Sequence, residues 1–368
     1  MNVDELLRLM VERGASDLHL RVPSPPVLRI DGGLVPIREL ADVTPEDTLT
    51  AIEHMTTESR KQTFLRDLEL DFAYSIAGLA RFRVNAFFQR GTISIAIRRV
   101  SLEMPSMEDL GLPDVCATLA LKMKGLVLVT GPTGSGKSTT LAAMINYLNR
   151  SDSRNVITIE DPIEFAHQNI RCLIAQRDLG DDTKSFAGAL QHALRQDPDV
   201  ILVGEMRDLD TISTAITAAE TGHLVLSTLH TMSAPQTIER VVDVFPPTQQ
   251  EQIRCQLSLV LEGVISQVLL PRQDGTGRVA AFEVMLGTDA IRSLIREGKI
   301  DQIPTYLQTG RQQGMQTMDQ SLQDLVSSGV ITLEEATKRG RRPDELRDRA
   351  PGTQASRPLQ HTLSGRSM

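Results

Sequence analysis

The segment Gly131-Pro132-Thr133-Gly134-Ser135-Gly136-Lys137-Ser138-Thr139 holds the most specific chemistry in the chain. It satisfies G-x-x-x-x-G-K-[ST], with an apolar strand predicted over 126–130 before it and a helix over 138–148 after it. In that setting the glycines let backbone amides turn inward around phosphates, and the helix amino terminus adds a partial positive charge. Lys137 is placed to reach the β- and γ-phosphates and Ser138 to hold Mg2+. Residues 131–139 are therefore expected to bind ATP with Mg2+.

Two groups of carboxylates follow. Asp199-Val200-Ile201-Leu202-Val203-Gly204-Glu205 reads as an apolar strand ending in an acid, which puts Glu205 beside the magnesium ion and its waters. A second strand, over 156–159, ends in Glu160-Asp161-Pro162-Ile163-Glu164. Carboxylates at that end of a parallel strand lie on the edge where open α/β sheets bind ligands. Phosphoryl transfer to water needs a group that orients or deprotonates the water. Glu164 is the candidate, with Glu160 and Asp161 shaping the magnesium environment; the alternative is a solvated acidic loop.

His223 and His230 bracket another apolar strand, 224–228. They are either satisfied structural histidines, or Thr228 or His230 senses the γ-phosphate; too few further ligands accompany them for zinc. Arg81 and Arg83 flank Phe82 in a strand-like stretch. By itself that spacing describes a charged outer sheet face. The other possibility is that they reach a nucleotide held by the second domain or by a neighbouring subunit.

The elements that must hold these groups differ along the chain. Residues 1–100 read as helices and alternating strands, a small α+β domain, with a hairpin turn at Asp31-Gly32-Gly33 and a helix opening at Thr44-Pro45. A linker is expected over 101–118. From 119 short, continuously apolar strands alternate with helices, the pattern of a parallel sheet covered on both faces. After Pro247 the spacing of Ile253, Leu257, Val260, Leu261, Val264 and Val268 predicts helix. Residues 338–368, rich in Pro, Ser and Arg, have too little apolar surface to offset ordering entropy and are expected to be disordered.

Composition excludes several classes. The 368 residues are 40% hydrophobic and 23% charged, enough for two or three domains with ordinary cores. The net charge of −8, three Tyr and no Trp argue against nucleic acid as a partner. That charge is uneven: residues 338–368 carry eight Lys or Arg against three Asp or Glu, leaving the first 337 residues at −13. Cys116, Cys172 and Cys255 form no CxxC pair, as expected in a reducing cytosol. No apolar run is long enough to span a bilayer; the longest, 257–270, is interrupted by Glu262 and Gln267. The amino terminus lacks the apolar core of a signal peptide. A soluble cytoplasmic protein is expected.

Taken together, the segments resemble the secretion ATPase superfamily, and within it the branch of the pilus retraction ATPases. The resemblance runs to about residue 337 and rests on the following stretches. They are Gly14-Ala15-Ser16-Asp17-Leu18-His19-Leu20, Ala80-Arg81-Phe82-Arg83-Val84-Asn85, the phosphate loop, the acidic box 159–165, Gly204-Glu205-Met206-Arg207-Asp208, and the surroundings of His223 and His230. Ala290-Ile291-Arg292-Ser293-Leu294-Ile295-Arg296-Glu297 resembles the AIRNLIRE motif of the retraction branch and departs from it only at Ser293. The extension branch carries a tetracysteine zinc site, whereas only Cys172 and Cys255 fall in the corresponding half here.

The resemblance implies a PAS-like α+β amino-terminal domain (1–100), a linker (101–118), a RecA-like P-loop NTPase domain (119–275), a helical carboxyl-terminal region (276–337) and the basic tail (338–368). It implies a homohexamer, with Arg81 and Arg83 at positions that approach the nucleotide. It further implies a motor for pilus retraction and twitching motility that acts on an inner-membrane platform protein from the cytoplasmic face, alone or beside a paralogous retraction ATPase. Alternatives are a pilus-assembly or type II secretion ATPase, a nucleic-acid translocase, or an accessory ring subunit.

Overall fold

The structure, a computed structural model, describes residues 1–100 and 104–348. The expected basic tail from 349 on, and 101–103 of the expected linker, lie outside the described residues. Two compact units divide the chain. One comprises Met1–Met104, Ile157–Ile170 and Ile174–Ala189; the other comprises Pro105–Val156, Arg171–Leu173 and the chain from Leu190 onward.

The first unit opens with the helix Val3–Glu12, capped by the Asn2 side chain, which accepts from Asp4 N. Its buried residues Val3, Leu6, Leu7 and Met10 recur at helical spacing, and Gly14 with φ +65° ends the turn. Strands β1 (Asp17–Leu20), β2 (Val27–Ile30), β3 (Gly33–Pro36), β4 (Glu69–Ile76), β5 (Ala80–Gln89) and β6 (Thr92–Arg99) form an antiparallel sheet in the order β3-β2-β1-β6-β5-β4. Between β3 and β4, the helix Pro45–Met55 starts with a reciprocal capping box between Thr44 and Asp47. Along β5 the side chains alternate: Phe82, Val84 and Ala86 enter the core, while Arg81 and Arg83 share the opposite face.

Strands β7 (Gly125–Thr130), β8 (Asn155–Glu160), β9 (Leu173–Asp178), β10 (Val200–Val203), β11 (Leu224–Leu229), β12 (Leu261–Pro271) and β13 (Arg278–Leu286) follow. In the second unit the order is β13-β12-β7-β11-β10. β7 is parallel to both β11 and β12, β11 is parallel to β10, and β13 closes antiparallel on β12. Every residue of β7, β10 and β11 is buried, which explains their unbroken apolar sequences. Because β7, β11 and β10 are parallel neighbours, the loops leaving their carboxyl ends gather at one edge. The whole is α/β, a PAS-like unit and a RecA-like P-loop unit.

Several expectations need correction. Helical spacing beyond Pro247 holds only for the helix Pro247–Val260; residues Leu261–Pro271 are strand β12. Val260, Val264 and Val268 are separated by four, which suits a period of 3.6 and a period of 2 alike, and both faces of β12 are largely buried. Gly263 marks the close packing there, since a Cβ would meet Leu119 Cδ1 at 2.9 Å. The region from 276 likewise opens with β13, becoming helical at Asp289–Glu297. Within the expected linker, Val115–Ala120 is helical and buries Cys116 and Leu119. Residues 338–348 are not structureless: the helices Leu333–Arg339 and Pro343–Asp348 run through them, and Leu346 packs on Met318, Leu322 and Ile331. Strand β9 and the helix Phe186–Ala193 escape the sequence reading altogether.

Candidate nucleotide site

β7 delivers the chain to Gly131, and the helix Lys137–Ser151 carries it away. The loop between them depends on three glycines at positive φ: Gly131 at +143°, Gly134 at +77° and Gly136 at +89°. Gly131 also lies against neighbouring backbone, where a Cβ would stand 2.3 Å from Gln267 O. Gly136 occupies the helix N-cap position without a side-chain cap, so amides at this helix start are open to an anion. Lys137 Nζ crosses the loop and donates to Gly131 O at 2.9 Å and Pro132 O at 3.1 Å. Pro132, Thr133, Ser135, Ser138 and Thr139 complete the segment, with Ser138 in the first helical turn.

The loop rests on β12. Gln267, 3% exposed, donates from Nε2 to Ser135 O at 2.6 Å and accepts from Thr140 Oγ1 at 2.9 Å. Thr130 and Ser266, paired in register, share a hydroxyl hydrogen bond of 2.8 Å. In the sequence Gln267 was only an interruption of an apolar run; the signal it offered was a polar residue among buried ones.

At the end of β10, Glu205 pairs with Arg207 at 2.7 Å and with His230 Nε2 at 3.1 Å. Burial pushes the Glu205 carboxyl upward, but the Arg207 hydrogen bond and the nearby His230 and Arg207 charges outweigh it and hold the group below the ordinary glutamate value. Thr228 Oγ1 donates to Gly204 O at 2.6 Å and Ser227 Oγ to Val203 O at 2.7 Å, so β11 fixes the turn that carries Glu205. His223 has a different place: its Nδ1 lies 2.9 Å from Ala218 O at the end of the helix Leu209–Glu220.

In the first unit, Arg81 binds Asp178 at 2.8 Å and Arg60 binds Asp181 at 2.6 Å. Together with Arg83 and Asp161 these groups line a cleft of about 290 Å³. Burial raises the Asp178 carboxyl above its ordinary value, against the lowering effect of Arg81. Glu160 accepts from Thr158 Oγ1 at 2.6 Å and from Gln176 Nε2 at 3.0 Å. Burial raises its pKa, those hydrogen bonds oppose the rise, and the charges of Asp178 and Glu164 add to it. Asp161 and Glu164 are exposed on the loop that follows. No local spacing marks Asp178, Gln176 or Arg60 as site residues; Asp178 and Gln176 lie on β9.

A parallel sheet, a glycine-rich phosphate loop with its lysine, and an acid ending the strand two places away define a RecA-like P-loop NTPase. The chain belongs to the family described as Type II/IV secretion system protein, which matches residues 3–338. It is 48% identical to the type IV pilus retraction ATPase PilT of Pseudomonas aeruginosa, over 94% of this chain and 100% of that protein. It is 49% identical to a twitching motility protein of Neisseria gonorrhoeae, over 87% of this chain and 86% of that one. A crystal structure titled as the pilus retraction motor PilT with bound ADP superposes with a TM-score of 0.87 at 48% identity, covering 94% of this chain and 99% of the other. Among the described residues no helix is long and apolar enough to cross a membrane.

Proposed function

We propose that this chain is an ATPase that binds ATP with Mg2+ on the loop 131–139 and, as a homohexamer, powers retraction of type IV pili and hence twitching motility. The observation that carries the reading is Lys137. Its ammonium spans the mouth of a glycine loop at the carboxyl end of β7, on the same sheet edge as Glu205 and His230. The likeness to a retraction ATPase and to a twitching motility protein over most of both chains supports the cellular role.

Backbone amides of 131–139 and the ammonium of Lys137 would hold the phosphates. Among the described residues no three His, Cys, Asp or Glu side chains gather as a metal cage. The Ser138 hydroxyl in the first turn of the helix Lys137–Ser151, beside the phosphates, would suit Mg2+, which keeps several waters. The ion supplies charge neutralisation at the transferring phosphoryl group. Glu205, held below its ordinary pKa by Arg207, would act on the ion through its waters, and His230 touches that carboxylate. Glu164 orients the attacking water, while Glu160 and Asp161 shape the acidic surroundings. Arg81 and Arg83 reach a nucleotide held by the RecA-like domain or by a neighbouring subunit; for Arg81 this requires leaving Asp178. The motor works at the cytoplasmic face of the inner membrane on a platform protein, with or without a paralogous ATPase.

The test is Lys137→Ala together with deletion in the native host. The variant is expected to lose nucleotide affinity and turnover, and the deletion strain to keep surface pili but lose motility. Retained affinity in the variant would remove the phosphate role. Loss of pili would point instead to an assembly motor, and retained motility to an accessory subunit.

A further inference from the structure

Gln267 meets the phosphate loop at three places and the helix that follows it at a fourth. Its carbonyl oxygen fills the space a Cβ at Gly131 would need, 2.3 Å away. Its Nε2 donates to Ser135 O and lies 3.3 Å from where a Cβ at Gly136 would stand, and its Oε1 accepts from Thr140 Oγ1. Two of the three loop glycines thus make room for this one residue, and its amide ties the loop to the first turns of the following helix. A buried primary amide in an apolar strand is costly unless its hydrogen bonds are made, and here both ends are used.

The orientation matters more than the anchoring. The peptide joining Ser135 to Gly136 is trans, so its C=O and N–H point in opposite directions. With the carbonyl drawn to Gln267 on β12, the Gly136 N–H must face away from β12, into the loop. Were the peptide to rotate, the carbonyl oxygen would face the anion and repel it. Ser135 O, which can only accept, requires the Nε2 end of the Gln267 amide, and the Thr140 hydroxyl, donating to Oε1, steadies the amide in that orientation.

We propose that Gln267 is a positioning residue for nucleotide binding. Through Ser135 O and Thr140 it holds the Ser135–Gly136 peptide with its N–H presented to the phosphates, and so sets nucleotide affinity without touching the ligand. This rests on the loop's being the nucleotide site. Because the contact serves bound substrate and transition state alike, its loss should raise KM while leaving kcat nearly unchanged. A defect that merely lowered the folded fraction would reduce kcat at constant KM.

The experiment compares the full-length parent chain with Gln267→Met and Thr140→Val, measuring the Kd for ADP, KM and kcat for MgATP, and nucleotide-free Tm. Gln267→Met is expected to raise KM and the ADP Kd about tenfold with kcat within about threefold, the scale of one hydrogen bond serving a charged partner. Thr140→Val, which removes the hydroxyl that steadies the amide, should raise both about threefold. Parent-like ADP affinity in a folded Gln267→Met overturns the proposal, as does a fall in kcat at unchanged KM. Should Gln267→Met fail to fold, Thr140→Val decides: a raised Kd supports the proposal and a parent-like Kd sinks it. Absence of ADP binding by the parent would instead sink the nucleotide-site reading itself.

Discussion

Glu205 and Glu164 are held very differently. Glu205 is fixed by Arg207, His230 and a turn bonded to β11, so it stays ionised and still. Glu164 stands exposed on the loop after Asp161-Pro162, in the surroundings of the half-buried Glu160. A fixed acid suits the waters of a metal ion, whereas an exposed one can be placed by a closing site. Glu164→Gln removes the base but keeps the shape. It is expected to leave ATP affinity within about threefold and to cut turnover by about 10²–10⁴, the usual contribution of general-base help. Phosphate release under saturating ATP measures this, and parent-like turnover would take Glu164 out of the mechanism. Of the arginines, Arg81 is committed to Asp178 and Arg83 is exposed on the same face of β5. The charged sheet face expected from spacing and the reach toward a nucleotide are therefore compatible for Arg83, while Arg81 must exchange one partner for another.

At the scale of elements, what could be read from the sequence was what is locally periodic. The phosphate loop, the all-buried β7, β10 and β11, and the alternating β5 all declare themselves in consecutive residues. β12 did not, because valines four apart fit both periods and because Glu262 and Gln267 looked like mere breaks. Gln267 anchors the phosphate loop, and Glu262 pairs with Lys122 at 2.8 Å and with Arg292 at 2.7 Å. β9 was invisible because Gln176 and Asp178 serve partners, Glu160 and Arg81, that lie far off along the chain, and such pairings leave no local trace. The motif 290–297 shows the same limit. Its Ile291, Leu294 and Ile295 are buried packing, as the amphipathic spacing indicated. Arg292, which spacing leaves unexplained, donates to Gly287 O, Ser258 O and Leu259 O at 2.7, 2.8 and 2.6 Å, closing the end of the helix Pro247–Val260 against β12. Arg292→Gln would strip the carboxyl end of that helix and leave Glu262 with Lys122 alone. A loss of about 2–3 kcal/mol in stability is expected, read from denaturant midpoints. Less than about 0.5 kcal/mol would show that water replaces the guanidinium without cost.

For the molecule as a whole, the uneven charge acquires a structural meaning in residues 338–348. The basic residues after 337 are not all a solvated fringe: Lys338 pairs with Glu334 and Glu335, and Arg341 reaches Glu283, whose side chain is 1% exposed. Glu283 also accepts from Ala234 N at 2.8 Å, and Arg341 N donates to Asp319 at 2.7 Å. The segment beyond the family match is thus stapled to the RecA-like unit by Arg341 and by Leu346. Burial raises the Glu283 pKa, Arg341 is the first influence opposing it, and Asp319 adds to the rise. A folded-state pKa above the unfolded one favours the fold at low pH, and that advantage is lost as pH climbs through the folded value. Arg341→Ala should raise the Glu283 pKa further, so the variant loses more than the parent on the same climb. Its deficit is expected to be small near pH 4, where the carboxyl is protonated in both, and to grow to about 1–2 kcal/mol by pH 8. That is below the usual cost of breaking a buried pair because Arg341 is 42% exposed and partly screened. Denaturation of parent and variant across that range measures the difference. A deficit that does not change with pH would mean that Arg341 holds residues 338–348 by packing alone, and that Glu283 does not need it as a counter-charge.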